Sequence, residues 1–183
     1  MSDESDKKET IMDKKTKRDY LYMRMARTWS ENSYCVRRKV GAILVKDQMI
    51  ISDGYNGTPS GFENVCEENN VSKPYVLHAE ANALTKVARS NNSSEGATLY
   101  VTASPCMECA KLIIQSGIKR VVYGEKYRIM DGVELLERAG ITVEYMPDKN
   151  NNCEQNWTIL NNFKLWKSTY FQPWQLCVYS WVF

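Results

Sequence analysis

The residues in this sequence that could carry chemistry form two short motifs, His78-x-Glu80 and Pro105-Cys106-x-x-Cys109. Zinc prefers thiolate and imidazole ligands, and a catalytic zinc site uses three protein ligands and leaves the fourth position to water. Because the chain contains a single histidine, any imidazole ligand must be His78. The motifs therefore predict one zinc ion bound by His78, Cys106 and Cys109.

The spacing of the two cysteines allows both to reach one metal ion. Residues three apart lie on the same face of a helix, so Cys106 and Cys109 are expected to present both sulfurs from its first turn. Pro105 is typical of a helix start, since its missing N–H lies where a donor would have no partner. A helix N-terminus also lowers the pKa of a cysteine and favours the thiolate that binds metal. A second helix predicted after His78 brings another helix start to the same place.

Glu80 has the position of a general base. A zinc ion with two thiolates and one neutral imidazole carries no net charge, so water at that site is a weaker acid than at an all-histidine site. A carboxylate two residues from a ligand can take the proton of the water and pass it to a leaving nitrogen. The alternatives are that His78 is an isolated core histidine and that the cysteines form a structural zinc site or a redox pair. The combination of motif features favours the catalytic site.

The composition narrows the class of protein. A chain of 183 residues with a net charge of +2 is long enough for one domain with a proper core plus extensions. That charge gives no electrostatic reason to expect a nucleic-acid partner. The sequence shows neither a signal-peptide pattern nor a long apolar run, so we expect a cytoplasmic protein with no membrane partner. Six cysteines, two of them assigned to the metal, fit a reducing compartment better than a disulfide framework.

We expect three regions along the chain. Residues 1–13 are mostly charged and polar and are predicted to be disordered. Residues 14–149 form the predicted zinc-dependent domain. Residues 150–183 form an aromatic-rich C-terminal extension, which lysines and a proline interrupt, so it is not a membrane span. Aromatic side chains at that density are expected to pack on the domain or on a neighbouring subunit.

The hydrophobic pattern predicts alternating helices and strands within the domain. Apolar residues at helical spacing cover 14–30, and short apolar runs at 40–45 and 49–52 predict a strand hairpin. Further strands are predicted at 97–102, 119–124 and 141–145, and further helices after His78, from Cys106 to about Gly117, and over 131–138. Strands that alternate with helices after a hairpin imply an α/β fold with a mixed sheet covered on both faces.

A glycine-rich segment, Gly54-Tyr55-Asn56-Gly57 continuing to Gly61, follows the predicted hairpin. Three glycines and a proline within eight residues predict a loop that leaves a strand end. Such a loop can bring backbone N–H groups close to a ligand and hold anionic oxygens; an ordinary turn is the alternative. Residues 62–77 are predicted to continue as irregular polar chain up to the zinc motif.

From about Asp19 to Tyr145 the chain resembles the deoxycytidylate (dCMP) deaminases of the cytidine deaminase-like superfamily. The zinc motif is shared by that whole superfamily. The Gly-Tyr-Asn-Gly loop, together with the segment that ends at Tyr127, makes the resemblance specific to the dCMP deaminases. The other matching stretches are Val40 to Val45, His78 to Ala83, Leu99 to Thr102, Pro105 to Lys111 and Ile113 to Ile118. The resemblance implies a three-layer αβα fold with a five-stranded sheet, and hydrolysis of dCMP to dUMP and ammonia, which supplies dUMP for thymidylate synthesis.

The resemblance also implies substrate contacts beside the zinc site. Asn56 is expected to hydrogen-bond the sugar–base region, and the Ala79 backbone N–H to read the pyrimidine carbonyl. Ser104 is expected to line the base pocket and Tyr127 to pack on the nucleotide. Arg128, beside that tyrosine, is the expected phosphate partner, because a guanidinium binds phosphate in a bidentate manner.

Assembly and regulation are further expectations from the resemblance. Many members of the family are hexamers that are activated by dCTP with Mg²⁺ and inhibited by dTTP at a subunit-interface site. We therefore expect a homo-oligomer with an effector site that includes Gly54, Tyr55 and Gly57. Some relatives hold a second, structural zinc at the positions of Cys35 and Cys66. No second histidine is available here, so such a site would need a carboxylate or Cys153 from the C-terminal extension. The sequence shows no motif for either, and we expect Cys35 and Cys66 to be free buried cysteines.

Two other functions stay open on the sequence. One is a deaminase of another substrate, such as tRNA adenosine, cytosine or a nucleoside. A tRNA enzyme should carry a basic face, which a net charge of +2 does not suggest. The other is a non-catalytic zinc protein that binds nucleotides. Glu80 argues against it, because a structural zinc site has no use for a base beside its metal.

Overall fold

The structure, a computed structural model, describes residues 13–147. The predicted C-terminal extension at 150–183 and residues 1–12 of the predicted tail lie outside the described residues. Asp13, assigned to that tail, instead caps the first helix: its side chain accepts hydrogen bonds from the backbone N–H of Lys15 at 2.8 Å and of Thr16 at 3.1 Å. An aspartate at this position satisfies donors that a helix start leaves without partners.

Apart from the short strands β3 and β4, the helices and strands of residues 13–147 follow the order that the sequence predicts. The elements are α1 (Lys14–Ser30), β1 (Gly41–Lys46), β2 (Met49–Tyr55), β3 (Glu67–Glu68), β4 (Val71–Ser72), α2 (Ala79–Ala88), β5 (Thr98–Ala103), α3 (Met107–Gln115), β6 (Arg120–Glu125), α4 (Asp131–Arg138) and β7 (Thr142–Tyr145). Gly117 and Gly140 follow α3 and α4 with positive φ angles of 75° and 77°, as glycines that end helices do. No helix between residues 13 and 147 has the length and apolar character needed to cross a membrane.

The main sheet has five strands in the order β2-β1-β5-β6-β7. Strand β1 is antiparallel to both β2 and β5, while β5, β6 and β7 run parallel. Side chains alternate between the two faces: Leu44 and Leu99 join the core under α2, α3 and α4, whereas Ile43 and Tyr100 join the core under α1. The predicted three-layer αβα fold with a five-stranded mixed sheet is confirmed.

Strand β2 extends further than the sequence pattern indicates. The predicted loop starts at Gly54, but Gly54 and Tyr55 belong to β2. A Cβ atom at Gly54 would lie 2.7 Å from the backbone nitrogen of Ala83 in α2. Glycine is therefore required here because a helix backbone approaches the strand closely, and not because the chain turns.

The prediction of irregular chain over residues 62–77 is wrong in part, because this segment contains the β3–β4 hairpin. Its two-residue turn consists of Asn69 and Asn70 with φ angles of 51° and 62°. Asparagine tolerates this left-handed conformation better than most residues. The Asn-Asn pair is thus the sequence signal for the turn that the hydrophobic pattern does not show.

Cys35 and Cys66 form a disulfide, so the expectation of two free buried cysteines is wrong. Their Cα atoms lie 5.1 Å apart, within the range that a disulfide can span. The bond joins the segment after α1 to the segment before β3, which are far apart in sequence. This pairing also does not fit the reducing compartment inferred from the cysteine count.

A buried ion network holds α1 to the far end of the sheet. Arg120 donates hydrogen bonds to both carboxylate oxygens of Asp19, at 2.9 and 2.7 Å, and to both of Glu144, at 2.8 and 2.7 Å. The hydroxyl of Tyr100 also donates to Asp19 at 2.5 Å. Burial opposes ionisation of Asp19, but the hydrogen bonds from Arg120 and Tyr100 outweigh it, so the pKa of this carboxyl lies below its ordinary value.

We predict that Arg120→Met destabilises the fold, because it leaves the buried Asp19 carboxylate without its cationic partner. Removal of one member of a buried ion pair typically costs about 3 kcal/mol or more. Urea denaturation at pH 7 measures this loss in the free energy of unfolding. Arg24→Met, at an exposed position of α1, is the matched control and should change that free energy by less than about 0.5 kcal/mol.

The effect should depend on pH. A carboxyl whose pKa is lower in the folded than in the unfolded chain stabilises the fold above the unfolded pKa, and this stabilisation disappears as the pH falls through the folded pKa. The difference between the wild type and Arg120→Met should therefore shrink below about pH 4, near the unperturbed aspartate value. A difference that stays constant down to pH 2 would contradict the assignment.

Candidate functional site

One imidazole and two thiols converge at the starts of α2 and α3. The Nδ1 atom of His78 lies 3.4 Å from the Sγ atoms of both Cys106 and Cys109, and the ligand atoms all lie within 4.8 Å of one another. In a tetrahedral zinc site the donor atoms are about 3.5 Å apart, given the usual zinc–nitrogen and zinc–sulfur bond lengths. Within residues 13–147 this is the one group of three such side chains. The predicted ligands are together and fit a single zinc ion.

Two of these ligands are N-cap residues. His78 precedes α2 with φ −75° and ψ 156°, and Cys106 precedes α3 with φ −78° and ψ 171°. Cys106 was expected inside the first turn and Pro105 at the first helical position, but helix α3 begins at Met107. Neither side chain makes a cap hydrogen bond, and the imidazole of His78 faces the Cys106 sulfur instead.

The two cysteines shift each other's pKa in opposite directions, which favours the thiolate form of Cys106. A hydrogen bond from the Cys109 thiol lowers the pKa of Cys106 to about 3. The same hydrogen bond, together with burial, raises the pKa of Cys109. The thiolate is the form that binds zinc, so one ligand is already in that form, and the proton of the second thiol is released when metal binds.

Helix α4 fixes the backbone that carries Cys106. A Cβ atom at Gly132 would lie 2.7 Å from the carbonyl carbon and 2.8 Å from the carbonyl oxygen of Cys106. Only glycine permits this approach, so Gly132 positions a zinc ligand from another helix. This role of Gly132 is not among those predicted from the sequence. A glycine inside a predicted helix usually has a packing or functional reason, since it lowers helix stability, and that was the available signal.

Glu80 lies in the first turn of α2, two residues after His78, and is 4% exposed. Burial raises the pKa of its carboxyl above the ordinary value. A carboxylate with a raised pKa is a stronger proton acceptor than an ordinary carboxylate, as a general base requires. Ala79, between the two, is fully buried, and its backbone N–H belongs to the first helical turn, where donors have no acceptor within the helix.

Asn56 anchors the loop beside the site. Its Oδ1 accepts from the Val40 backbone N–H at 2.7 Å, and its Nδ2 donates to the Arg38 carbonyl at 2.8 Å. One N–H of the amide remains for a ligand. The next residue, Gly57, pairs through two backbone hydrogen bonds with Leu77, which directly precedes the zinc ligand. The loop is thus hydrogen-bonded to the chain that delivers His78.

Ser104 connects the end of β5 to the segment after β6. Its backbone N–H donates to the Glu125 carbonyl at 2.8 Å, and its Oγ accepts from the Tyr127 N–H at 2.9 Å. Tyr127 is half-exposed, and the guanidinium of Arg38 lies 5.3 Å from its ring centroid. Arg38, which the sequence analysis missed, also forms an ion pair of 2.5 Å with Glu125. Arg128 is exposed and forms no ion pair within residues 13–147.

Of the three residues expected to bind an effector, Gly54 and Tyr55 lie against α2. The Tyr55 carbonyl accepts a hydrogen bond from Asn82 at 2.9 Å, and the amine of Lys86 lies 5.8 Å from the centroid of the Tyr55 ring. Gly54 lies against α2 as well, and Gly57 forms the bridge to Leu77. An effector role for Gly54, Tyr55 and Gly57 stays a prediction.

Comparison with known proteins points to one family. The family model for the cytidine and deoxycytidylate deaminase zinc-binding region matches residues 16–125. The deoxycytidylate deaminase of Enterobacteria phage T4 is 36% identical, over 73% of this chain and 92% of its own. The deoxycytidylate deaminase of Saccharomyces cerevisiae is also 36% identical, and this chain spans 43% of its length. Among solved structures, the dCMP deaminase of cyanophage S-TIM5 in complex with dCMP and dUMP is 47% identical, with a TM-score of 0.70, and the match covers 74% of this chain and 99% of that one.

We predict that the purified chain binds one zinc ion and that Cys109→Ser loses most of it, because a hydroxyl is a poor replacement for a thiolate ligand. Metal analysis by mass spectrometry gives the stoichiometry. The double variant Cys35→Ser/Cys66→Ser is the matched control, since those sulfurs bond to each other, and it should keep one zinc. A wild-type value near two would show that a second metal binds elsewhere.

Proposed function

The chain belongs to the cytidine and deoxycytidylate deaminase zinc-binding family, and from that premise we propose that it hydrolyses dCMP to dUMP and ammonia. The observation that carries the proposal is the His78, Cys106 and Cys109 cluster beside the buried carboxyl of Glu80. The T4 relative is named for the same reaction, and the cyanophage relative was solved with dCMP and dUMP. Both matches extend over most of the described chain.

In this mechanism Glu80 moves the protons. Zinc, when bound by its three ligands, supplies Lewis-acid activation of water. Glu80 accepts in turn the two protons of the water that attacks the amino-bearing ring carbon of cytosine, and delivers one to the ring nitrogen beside that carbon and the other to the amino nitrogen. Ammonia leaves, the ring carbon keeps the oxygen of the water, and the product is dUMP. The raised pKa of Glu80 suits a group that must take up and release a proton within one cycle.

The substrate contacts expected from the resemblance form part of the proposal. We assign the pyrimidine carbonyl to the Ala79 N–H, which lies in the first turn of α2 beside Glu80. Asn56 is assigned to the sugar through its remaining amide N–H. Ser104 supports the base pocket, where its hydroxyl also orients Tyr127. These assignments place the base at the zinc ligands and the sugar toward the loop.

Regulation, assembly and physiological role complete the proposal. We expect activation by dCTP with Mg²⁺ and inhibition by dTTP, at a site between subunits that includes Gly54, Tyr55 and Gly57, in a homo-oligomer such as a hexamer. The dUMP formed would supply thymidylate synthesis. A cytoplasmic location follows from the substrate, because a charged nucleotide does not cross membranes unaided. Nucleic acid is not part of the proposal.

We predict that Glu80→Gln abolishes most turnover and leaves zinc in place, because the amide keeps the shape of the side chain but cannot take up a proton. General acid–base catalysis contributes at least about 100-fold, so kcat should fall by that factor or more. A coupled measurement of dCMP deamination by ultraviolet absorbance and of zinc content tests both parts.

Glu108→Gln is the matched control for that variant. Glu108 also lies in the first turn of a ligand-bearing helix, but it is exposed and paired with Lys111. Its replacement should leave both kcat and zinc content close to the wild type. If Glu80→Gln retained wild-type kcat, the assignment of the base would be wrong.

A substrate panel tests the proposed function as a whole. Rates of deamination should be compared for dCMP, deoxycytidine, cytidine and cytosine, with and without dCTP and Mg²⁺. We expect kcat/KM to be at least about tenfold higher for dCMP than for deoxycytidine, because charge-assisted hydrogen bonds to phosphate are strong. Equal rates for all four would remove the nucleotide specificity. If the rate depends hyperbolically on dCMP concentration and neither dCTP nor dTTP changes it, the proposed regulation is wrong.

A further inference from the structure

Two basic segments meet at the rim of the site. Residues 37–39 (Arg-Arg-Lys) precede β1, and residues 126–128 (Lys-Tyr-Arg) follow β6. They meet where the guanidinium of Arg38 lies 5.3 Å from the centroid of the Tyr127 ring. The side chain of Arg38 is also paired with Glu125, at 2.5 Å between Nη2 and Oε2. The two segments thus carry several basic side chains, and Glu125 is the carboxylate at the contact between them.

Arg38 is connected to both segments that carry the zinc ligands. On one side, its carbonyl binds the Asn56 side chain, and the neighbouring Gly57 pairs with the residue before His78. On the other side, Glu125 and the residue two positions after it are hydrogen-bonded to Ser104, which lies two residues before Cys106. These backbone contacts hold the Arg38–Glu125 pair beside the two segments that lead to the zinc ligands, as a specificity-determining group requires.

We propose that Arg38 is the residue that selects for the 5′-phosphate of the substrate, and that its guanidinium exchanges the Glu125 carboxylate for phosphate oxygens when the nucleotide binds. This inference rests on the proposed function, since it assumes a phosphorylated substrate at the zinc site. It replaces Arg128 as the main phosphate partner. No covalent step is involved; one ion pair is exchanged for another.

The exposure of the two side chains favours this exchange. The Glu125 side chain is 70% exposed and that of Arg38 is 32% exposed, so the carboxylate can return to water at little cost. An exposed ion pair between carboxylate and guanidinium contributes little to stability, whereas a phosphate dianion accepts bidentate, charge-assisted hydrogen bonds from the same guanidinium. The Tyr127 ring beneath Arg38 restricts the orientation of the guanidinium plane.

The other cations of the rim are directed elsewhere or are not oriented. Arg37 donates to the Ser72 hydroxyl at 3.2 Å, Lys39 donates to the Glu31 carbonyl at 3.3 Å, and Lys126 lies 4.8 Å from the Tyr145 ring centroid. Arg128 is exposed and has no ion pair among residues 13–147. Arg38 is thus the cation that is both oriented by neighbours and paired with a group that can be displaced.

The test compares dCMP with deoxycytidine, which lacks the phosphate. Arg38→Gln should lower kcat/KM for dCMP by about 10- to 100-fold, mainly through KM, and should leave kcat/KM for deoxycytidine unchanged within about twofold. Arg38→Lys should lose less, because lysine keeps the charge but not the bidentate geometry. Glu125→Gln should lower KM for dCMP, because the guanidinium no longer has to leave a carboxylate.

Arg37→Gln is the matched control, one residue away and of the same charge change. If it shows the dCMP-specific loss and Arg38→Gln does not, the assignment to Arg38 is overturned. If Arg38→Gln and Glu125→Gln both lower activity on dCMP and deoxycytidine alike, the pair is structural and the proposal fails. Zinc content and circular dichroism confirm that each variant is folded, and Arg38→Lys supplies the test if Arg38→Gln does not fold. A wild-type protein that deaminates neither compound would instead refute the proposed function.

Discussion

The convergence of one imidazole and two thiols on a point between two helix starts is the constraint on which the rest of the structure depends. His78 is 28 residues from Cys106 and 31 from Cys109, so local structure cannot bring these ligands together. The five-stranded sheet contributes to this: Cys106 follows the end of β5, and Gly57, just after β2, pairs with Leu77, the residue before His78. The close backbone contact at Gly54 then holds the start of α2 against the sheet, and the one at Gly132 holds the start of α3 against α4.

Ionisable groups are divided between two places with opposite tasks. In the Asp19, Arg120 and Glu144 network, every charge has a partner, and the pKa of each carboxyl lies below its ordinary value. At the zinc ligands, burial raises the pKa of Glu80 instead. In the ion network, the lowered pKa values favour the ionised carboxylates of Asp19 and Glu144, and these ion pairs stabilise the fold. At Glu80, the raised pKa makes the carboxyl easier to protonate than an ordinary one, as a group that transfers protons requires.

Much of the fold and the centre of the site could be predicted from the sequence, because the signals are local. The apolar spacing of α1, the spacing of Cys106 and Cys109, and the glycines that end α3 and α4 each report on a few consecutive residues. What could not be predicted depends on contacts between distant residues. Arg38 meets Glu125 across 87 positions, and no periodicity encodes that pair.

The disulfide and the extension of β2 show the same limit. Nothing in the sequence around Cys35 and Cys66 indicates that they pair, because only the fold brings their Cα atoms to 5.1 Å. Gly54 lies in a glycine-rich segment typical of a turn, yet it is a strand residue, and it is glycine because the backbone of α2 packs closely against it. The hairpin at β3 and β4 was missed for a different reason: with two residues in each strand, it is too short to produce a hydrophobic pattern.

The use of His78 and Cys106 as N-cap residues has a consequence for the lifetime of the polypeptide. Neither side chain caps its helix, so α2 and α3 both begin without a side-chain hydrogen bond to their first backbone donors. When zinc is absent, these short helices lack both the cross-link and a substitute cap, and their first turns open most easily. Metal supply would then govern how quickly newly made copies become resistant to proteolysis, in addition to whether they turn over substrate.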